Sequence, residues 1–277
     1  MGMRISTNMA AIGAHKNLIG SQRGIQKSMS QLASGTRITK SADDAAGLAI
    51  SENLKSQIRS YGQAGRNAND GISLVQTAEG GLGEISNILT RLRELAIQDG
   101  SDTVSDKERV MINKEVEQLT LESQRIAVST KFGNQSLIDG SGEKFDFQVG
   151  IFNDDFADRI SFNSGELNVQ SSELDIEGFD YSSKDGAQSA LETLDVAQST
   201  VNAHRATLGA LQNRLVSTTD NISTMNENIS AANGRIRDTD VAMASSDMAK
   251  NNILLQASTA TLAQANQLPS LALKLIG

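Results

Sequence analysis

Ala187, Leu194, Val201, Leu208, Leu215, Ile222, Ile229 and Ile236 recur every seven residues without a slip. A repeat of seven returns an apolar side chain to the same face of an α-helix every two turns, and no strand, with its period of two, can carry it. Ala190, Ala197, His204, Leu211, Thr218, Met225 and Ala232 occupy the companion positions between them. Residues 184–236 are therefore predicted as a single helix, about 75 Å long at roughly 1.5 Å per residue. Its apolar stripe requires another long helix against it.

That partner is present in the first third of the chain. Leu54, Ile58, Tyr61, Gly65, Ala68, Ile72, Val75, Ala78, Leu82, Ile85, Leu89, Leu92 and Ala96 follow steps of four and three, with one irregularity near Val75, Ala78 and Leu82. The rod core is expected to bring Leu54, Ile58, Ile72, Leu82, Leu89 and Leu92 against Leu194, Val201, Leu208, Leu215, Ile222 and Ile229. Asp43 and Asp44 are expected in the first turn of this helix, residues 41–99, where the helix dipole favours negative charge. A third helix over 105–129 opens on the capping box Ser105-x-x-Glu108 and continues with Ile112, Val116, Leu119 and Ile126. Residues 131–180 change character: Gly, Asn, Asp and Ser separate short alternating runs at Phe145, Phe147 and Val149 and at Ile160 and Phe162, the pattern of β-hairpins.

Two shorter helices are predicted at the ends. Ile5, Met9, Ile12, Leu18, Ile25, Met29 and Leu32 form one broad face before Gly35, and Val241, Met248, Leu255 and Leu262 repeat by seven until Pro269, the one proline, which is expected to stop the helix. Aromatic content of 3% supplies little bulk for a compact globule. The fold class is thus mainly α: an elongated coiled-coil or helical-bundle rod with a small β-hairpin region in mid-chain. Two domains are expected, a terminal coiled coil from 1–40 with 238–277 and a rod from 41–237. Terminal helices with apolar stripes call for further partners, and a contact that repeats from copy to copy without closing builds a filament. Ile5, Met9, Ile12, Ile25, Met29, Leu32, Val241, Met248, Leu255 and Leu262 are the candidate polymerisation residues.

Charge and chemistry narrow the function. A net charge of −8 with no basic cluster argues against nucleic acid. With no Cys and only His15 and His204, no catalytic constellation, metal set or cofactor motif is found, and His204 falls on the seam. Asn153, Asp154, Asp155 and Asp158 offer oxygen ligands for a hard cation but are read as a turn. Residues 251–273 contain no charged side chain yet carry too many amides and hydroxyls for hydrocarbon, so membrane insertion is not expected, nor is a cleaved signal peptide at the start.

Several strings together carry a family resemblance: ADDAAGLAISE at 42–52, RNANDGISLVQTAEGGL at 66–82, LTRLRELAIQ at 89–98, LGALQNRL at 208–215, NISAANGRIRDTDVA at 228–242 and LAQANQLP at 262–269. They resemble bacterial flagellin in order and spacing. The resemblance implies a self-polymerising filament subunit for swimming motility, in a short form without large variable outer domains, exported to the extracellular flagellum, and not an enzyme. It implies as partners a second copy of the chain, an export chaperone, filament cap and hook-junction proteins, and Toll-like receptor 5 of a host. For that receptor, Arg91, Leu95 and Glu115 stand at matching positions, with Leu95 expected on the surface, and Thr90 departs from the glutamine common there. The alternatives are a hook–filament junction protein of the same superfamily or a secreted monomeric binding module.

Overall fold

The computed structural model describes residues 7–276, with side chains as far as Gln267. Its elements run α1 (Met9–Ser34), α2 (Ala45–Asp99), α3 (Asp106–Ser129), the short strands β1 (Lys131–Phe132) and β2 (Gln135–Ser136), β3 (Lys144–Gln148), β4 (Arg159–Asn163), α4 (Lys184–Arg237) and α5 (Val241–Ile276). The chain is mainly α and forms two compact units, Met1–Ile58 with Asn228–Gly277, and Arg59–Glu227. Helices α2 and α4 contribute to both.

In the second unit α2 and α4 are antiparallel. Arg93 pairs with Asp195 at 2.9 Å, Gln198 donates to Ser86 at 2.7 Å, and Arg205 faces Glu79 at 3.9 Å, so the partners advance along the two helices in opposite directions. The heptad positions do what their spacing requires: Leu82, Leu89, Leu92, Leu194, Val201, Leu208, Leu215 and Ile222 are buried, and Ile72 is half-buried. Met225 departs from its companion position and is exposed, while Asn226 turns inward.

Helix α2 also buries a second stripe. Leu74, Gly81, Ile88 and Leu95 lie seven apart, and a Cβ at Gly81 would stand 2.7 Å from the Thr130 hydroxyl and 3.0 Å from Ile138. The missing side chain lets the chain that leaves α3 cross α2 closely. Helix α3 starts at its capping box, where the Glu108 carboxylate accepts from the Ser105 N–H at 2.8 Å, and it buries Val116 and Ala127.

The β region packs on the same core. Strands β1 and β2 turn through Gly133, whose φ of 63° suits a residue without a side chain. Strands β3 and β4 pair antiparallel with Phe145 opposite Phe162 and Phe147 opposite Ile160. The Phe147 ring lies 3.1 Å from where a Cβ at Gly71 would sit, and Asn67 on α2 donates to the Gln148 carbonyl at 2.9 Å. Buried Leu137, Ile138, Val169, Ile176 and Tyr181 continue that core.

In the first unit α1 lies antiparallel on α5. Its seam is built from Ala11, Ala14, Leu18, Ser21, Ile25, Ser28 and Leu32, and that of α5 from Ala244, Met248, Asn251, Leu255, Ser258, Leu262 and Ala265, all buried or half-buried. Small residues at every second position let the backbones approach: the Asn251 side chain occupies the space where a Cβ at Gly24 would sit, with its nearest atom 2.7 Å away. The connectors after α1 and α4 pair through a bridge between Thr36 and Asp238, and Arg37 caps the end of α4 by donating to the Ile236 carbonyl at 2.7 Å. Near these connectors Ser51 donates to Asn233 at 2.8 Å, and Leu54, Ile58 and Ile229 are half-buried.

Two expectations about helix ends are corrected. Asp43 and Asp44 precede α2: Asp44 caps it by accepting from the Gly47 N–H at 2.8 Å, and Asp43 accepts from Thr39 and Lys40 and pairs with Lys27 at 3.2 Å. Nor does Pro269 stop α5, which continues to Ile276.

Candidate assembly surface

The α1–α5 pair sorts the candidate polymerisation residues into two sets. Ile25, Leu32, Met248, Leu255 and Leu262 are half-buried in the seam between the two helices. Met9 (69% exposed), Ile12, Met29 and Val241 are exposed. Ile5 lies outside the described residues.

Met9 and Ile12 share the outer face of α1 with Gly13 and Gly20, and nothing stands within 4 Å of where a Cβ would sit at either glycine. Apolar side chains beside bare backbone permit close approach by another helix. The reading of α5 as one heptad missed Met243, Ile253 and Leu254, which are exposed. Their signal was available: each is a large apolar residue off the seam. The outer surface also carries Val110, Met111, Leu121 and Val128 on α3, all exposed.

The candidate receptor ridge is half assembled. Arg91 is exposed and joins Glu115 of α3 at 2.9 Å and Glu94 of its own helix at 3.0 Å. The Glu115 hydrogen bond leads the causes that hold the Arg91 guanidinium above its ordinary pKa, followed by that from Glu94. Leu95 does not join them. It is 2% exposed and belongs to the second buried stripe of α2, because a helix flanked by two neighbours buries a wider sector than one seam requires.

The groups that hinted at chemistry have structural partners. The Asp154 carboxylate accepts from the backbone of Phe156 and Ala157 at 2.9 and 2.8 Å, Asp158 accepts from the Asp154 N–H, and Arg159 binds Asp155 and Asn153. The four residues thereby build the β3–β4 turn. Half-buried His204 has its pKa lowered by desolvation, which keeps a packed imidazole neutral. A groove of about 500 Å³ beside Arg205 is lined by Glu79, Glu84, Gly80 and Gly83 and contains no histidine. Among the described residues no three His, Asp or Glu side chains cluster as a metal site, and no helix is long and apolar enough to cross a membrane.

Comparison with known proteins agrees along most of the chain. Residues 5–143 match the bacterial flagellin N-terminal helical region, and residues 191–276 match the bacterial flagellin C-terminal helical region. A flagellin of Halalkalibacterium halodurans is 42% identical over 275 residues, covering 99% of this chain and 100% of that protein. Flagellin B of Vibrio cholerae is 43% identical over 167 residues, 60% of this chain but only 44% of its own length. Among solved structures, Bacillus cereus flagellin aligns with a TM-score of 0.52 at 30% identity, over 61% of this chain and 94% of that one. A flagellar hook-associated protein of Vibrio parahaemolyticus, at 14% identity and a TM-score of 0.59 over 71% of this chain and 100% of that one, shares the fold.

Proposed function

This chain belongs to the bacterial flagellin family, and from that premise we propose how its surfaces serve a structural subunit of the flagellar filament. The family is one of extracellular filament components, and this member is a short form without a large outer domain. The match to a flagellin along its full length favours the filament over the hook junction, whose protein is alike in fold alone.

The outer faces of α1 and α5 are the intersubunit surface of the terminal unit. The observation that carries this is the exposure of Met9, Ile12, Met29, Val241, Met243, Ile253 and Leu254 on a pair of helices already satisfied by each other. Such apolar area leaves water when a second copy docks, and a contact between two different faces repeats into an open helical array. The amide-rich, weakly charged stretch 251–267 then lines the central channel where it is not packed on α1. Residues 1–40 with 238–277 act as the inner tube and 41–237 as the rod domain. The protein performs no catalysis and works outside the cell. Its partners are an export chaperone, the filament cap and hook-junction proteins, and, where a host meets it, Toll-like receptor 5 through the Arg91–Glu115 ridge.

Seeded polymerisation tests the central claim. Ile12→Asp and Met243→Asp place carboxylates on the outer faces without touching the α1–α5 seam. Each should abolish elongation while circular dichroism of the monomer stays unchanged, and normal filaments from both variants would refute it.

A further inference from the structure

A proline inside a helix leaves the carbonyl four residues before it without its usual donor. Pro269 does this to Ala265, and Ala265 is buried, so water is a poor substitute. The carbonyl is nevertheless satisfied. The Asn8 side chain donates its Nδ2 to the Ala265 oxygen at 2.8 Å, across 257 residues of sequence. The other end of the same amide is also engaged, because Asn8 Oδ1 accepts from the Ala11 N–H at 3.1 Å and caps α1. One side chain therefore starts the first helix and supplies the bond that the last helix cannot supply for itself.

We infer that Asn8 is a positioning residue that makes the turns of α5 beyond Pro269 conditional on the docking of α1. With α1 away, Ala265 has neither a helical N–H nor the amide, and the helix has its best reason to end at the proline, as the sequence alone predicts. With α1 docked, the missing bond is restored and α5 runs on to Ile276. The docking of one terminus thus determines the conformation of the other. For assembly this rests on the filament reading above, since it means that residues 270–276 become helical, and able to meet a second copy as a helix, in a subunit whose termini are paired.

The full-length monomer tests this by amide hydrogen exchange over 270–276, and seeded growth tests the consequence for assembly. Asn8→Ser keeps a capping oxygen for α1 but is too short to reach Ala265. It should speed exchange beyond Pro269 by about fivefold to tenfold, the equivalent of one buried hydrogen bond, and slow elongation. Pro269→Ala returns an N–H to the Ala265 carbonyl, so in this background Asn8→Ser should have no effect on exchange over 270–276. Unchanged exchange in Asn8→Ser alone, or an equal effect with and without the proline, overturns the coupling whatever the filaments do. Faster exchange abolished by Pro269→Ala, with elongation unaltered throughout, leaves the coupling standing and overturns its part in assembly.

Discussion

Arg109, near the start of α3, lies in contact with Asp99 at the end of α2, and both side chains are buried. The guanidinium also donates to the carbonyls of Asp99 and Ser101, so one cation closes the open end of α2 and ties α3 to it. Burial pushes the Asp99 carboxyl above the usual carboxylate range, and Arg109 opposes that shift.

Arg109→Met should consequently be costly, because it leaves a buried carboxylate without its counter-charge, about 3–5 kcal/mol at pH 7. An acid whose folded pKa lies above its unfolded value costs stability at neutral pH and costs nothing below both values. The variant should therefore regain part of its loss as the pH falls and the Asp99 carboxylate takes up its proton. Adding Asp99→Asn should flatten that pH dependence, and chemical denaturation at a series of pH values measures both.

Asp43 has the opposite sign. Hydrogen bonds, first from the Thr39 side chain, then from Lys27 and from Lys40, lower its pKa from 3.8 to about 2. Its contribution is present in full above pH 3.8 and is lost as the pH falls through about 2. Asp43→Asn should be less stable than wild type above pH 3.8, and the difference should close as the pH falls through about 2, which chemical denaturation followed by circular dichroism at a series of pH values measures.

Leu95→Ala and Arg91→Ala should separate the core from the ridge. The first removes a fully packed side chain and should cost about 2–5 kcal/mol, while the second removes exposed ion pairs and should stay within about 0.5 kcal/mol. In a cell reporter for Toll-like receptor 5, Arg91→Ala should reduce signalling at unchanged melting temperature. A thermally silent Leu95→Ala would contradict its buried position.

Gly24→Leu should disrupt the α1–α5 pair, since even a Cβ there meets Asn251 at 2.7 Å. Gly24→Ala with Asn251→Ala should pack better than Gly24→Ala alone. Hydrogen exchange across α1 reports both, and equal protection in the two alanine variants would count against the close approach.

The contrast between Leu208 and Leu95 shows what was legible in the sequence. Leu208 sits in an unbroken heptad with one partner helix, and its burial follows from spacing alone. Leu95 belongs to a second stripe that contains Gly81, so its periodicity is masked by the residue that lets the other chain in. The terminal seam was harder again: half of it is Ala and Ser, which hydropathy does not distinguish from surface, while Met9 and Met29 outside it look like core. The passage of α5 through Pro269 was not legible locally at all, because the compensating donor is Asn8.

The bond between Asn8 and Ala265 spans nearly the whole chain, and the pairing of α1 with α5 closes a loop of that length. Closing it costs an entropy that grows only slowly with loop length, but α1 has no α5 to lie on until both helices are present. A polypeptide broken off between α1 and α5 lacks one member of the terminal pair and cannot complete it. Whatever surface depends on α1 and α5 lying together is therefore present only on a chain that carries both helices.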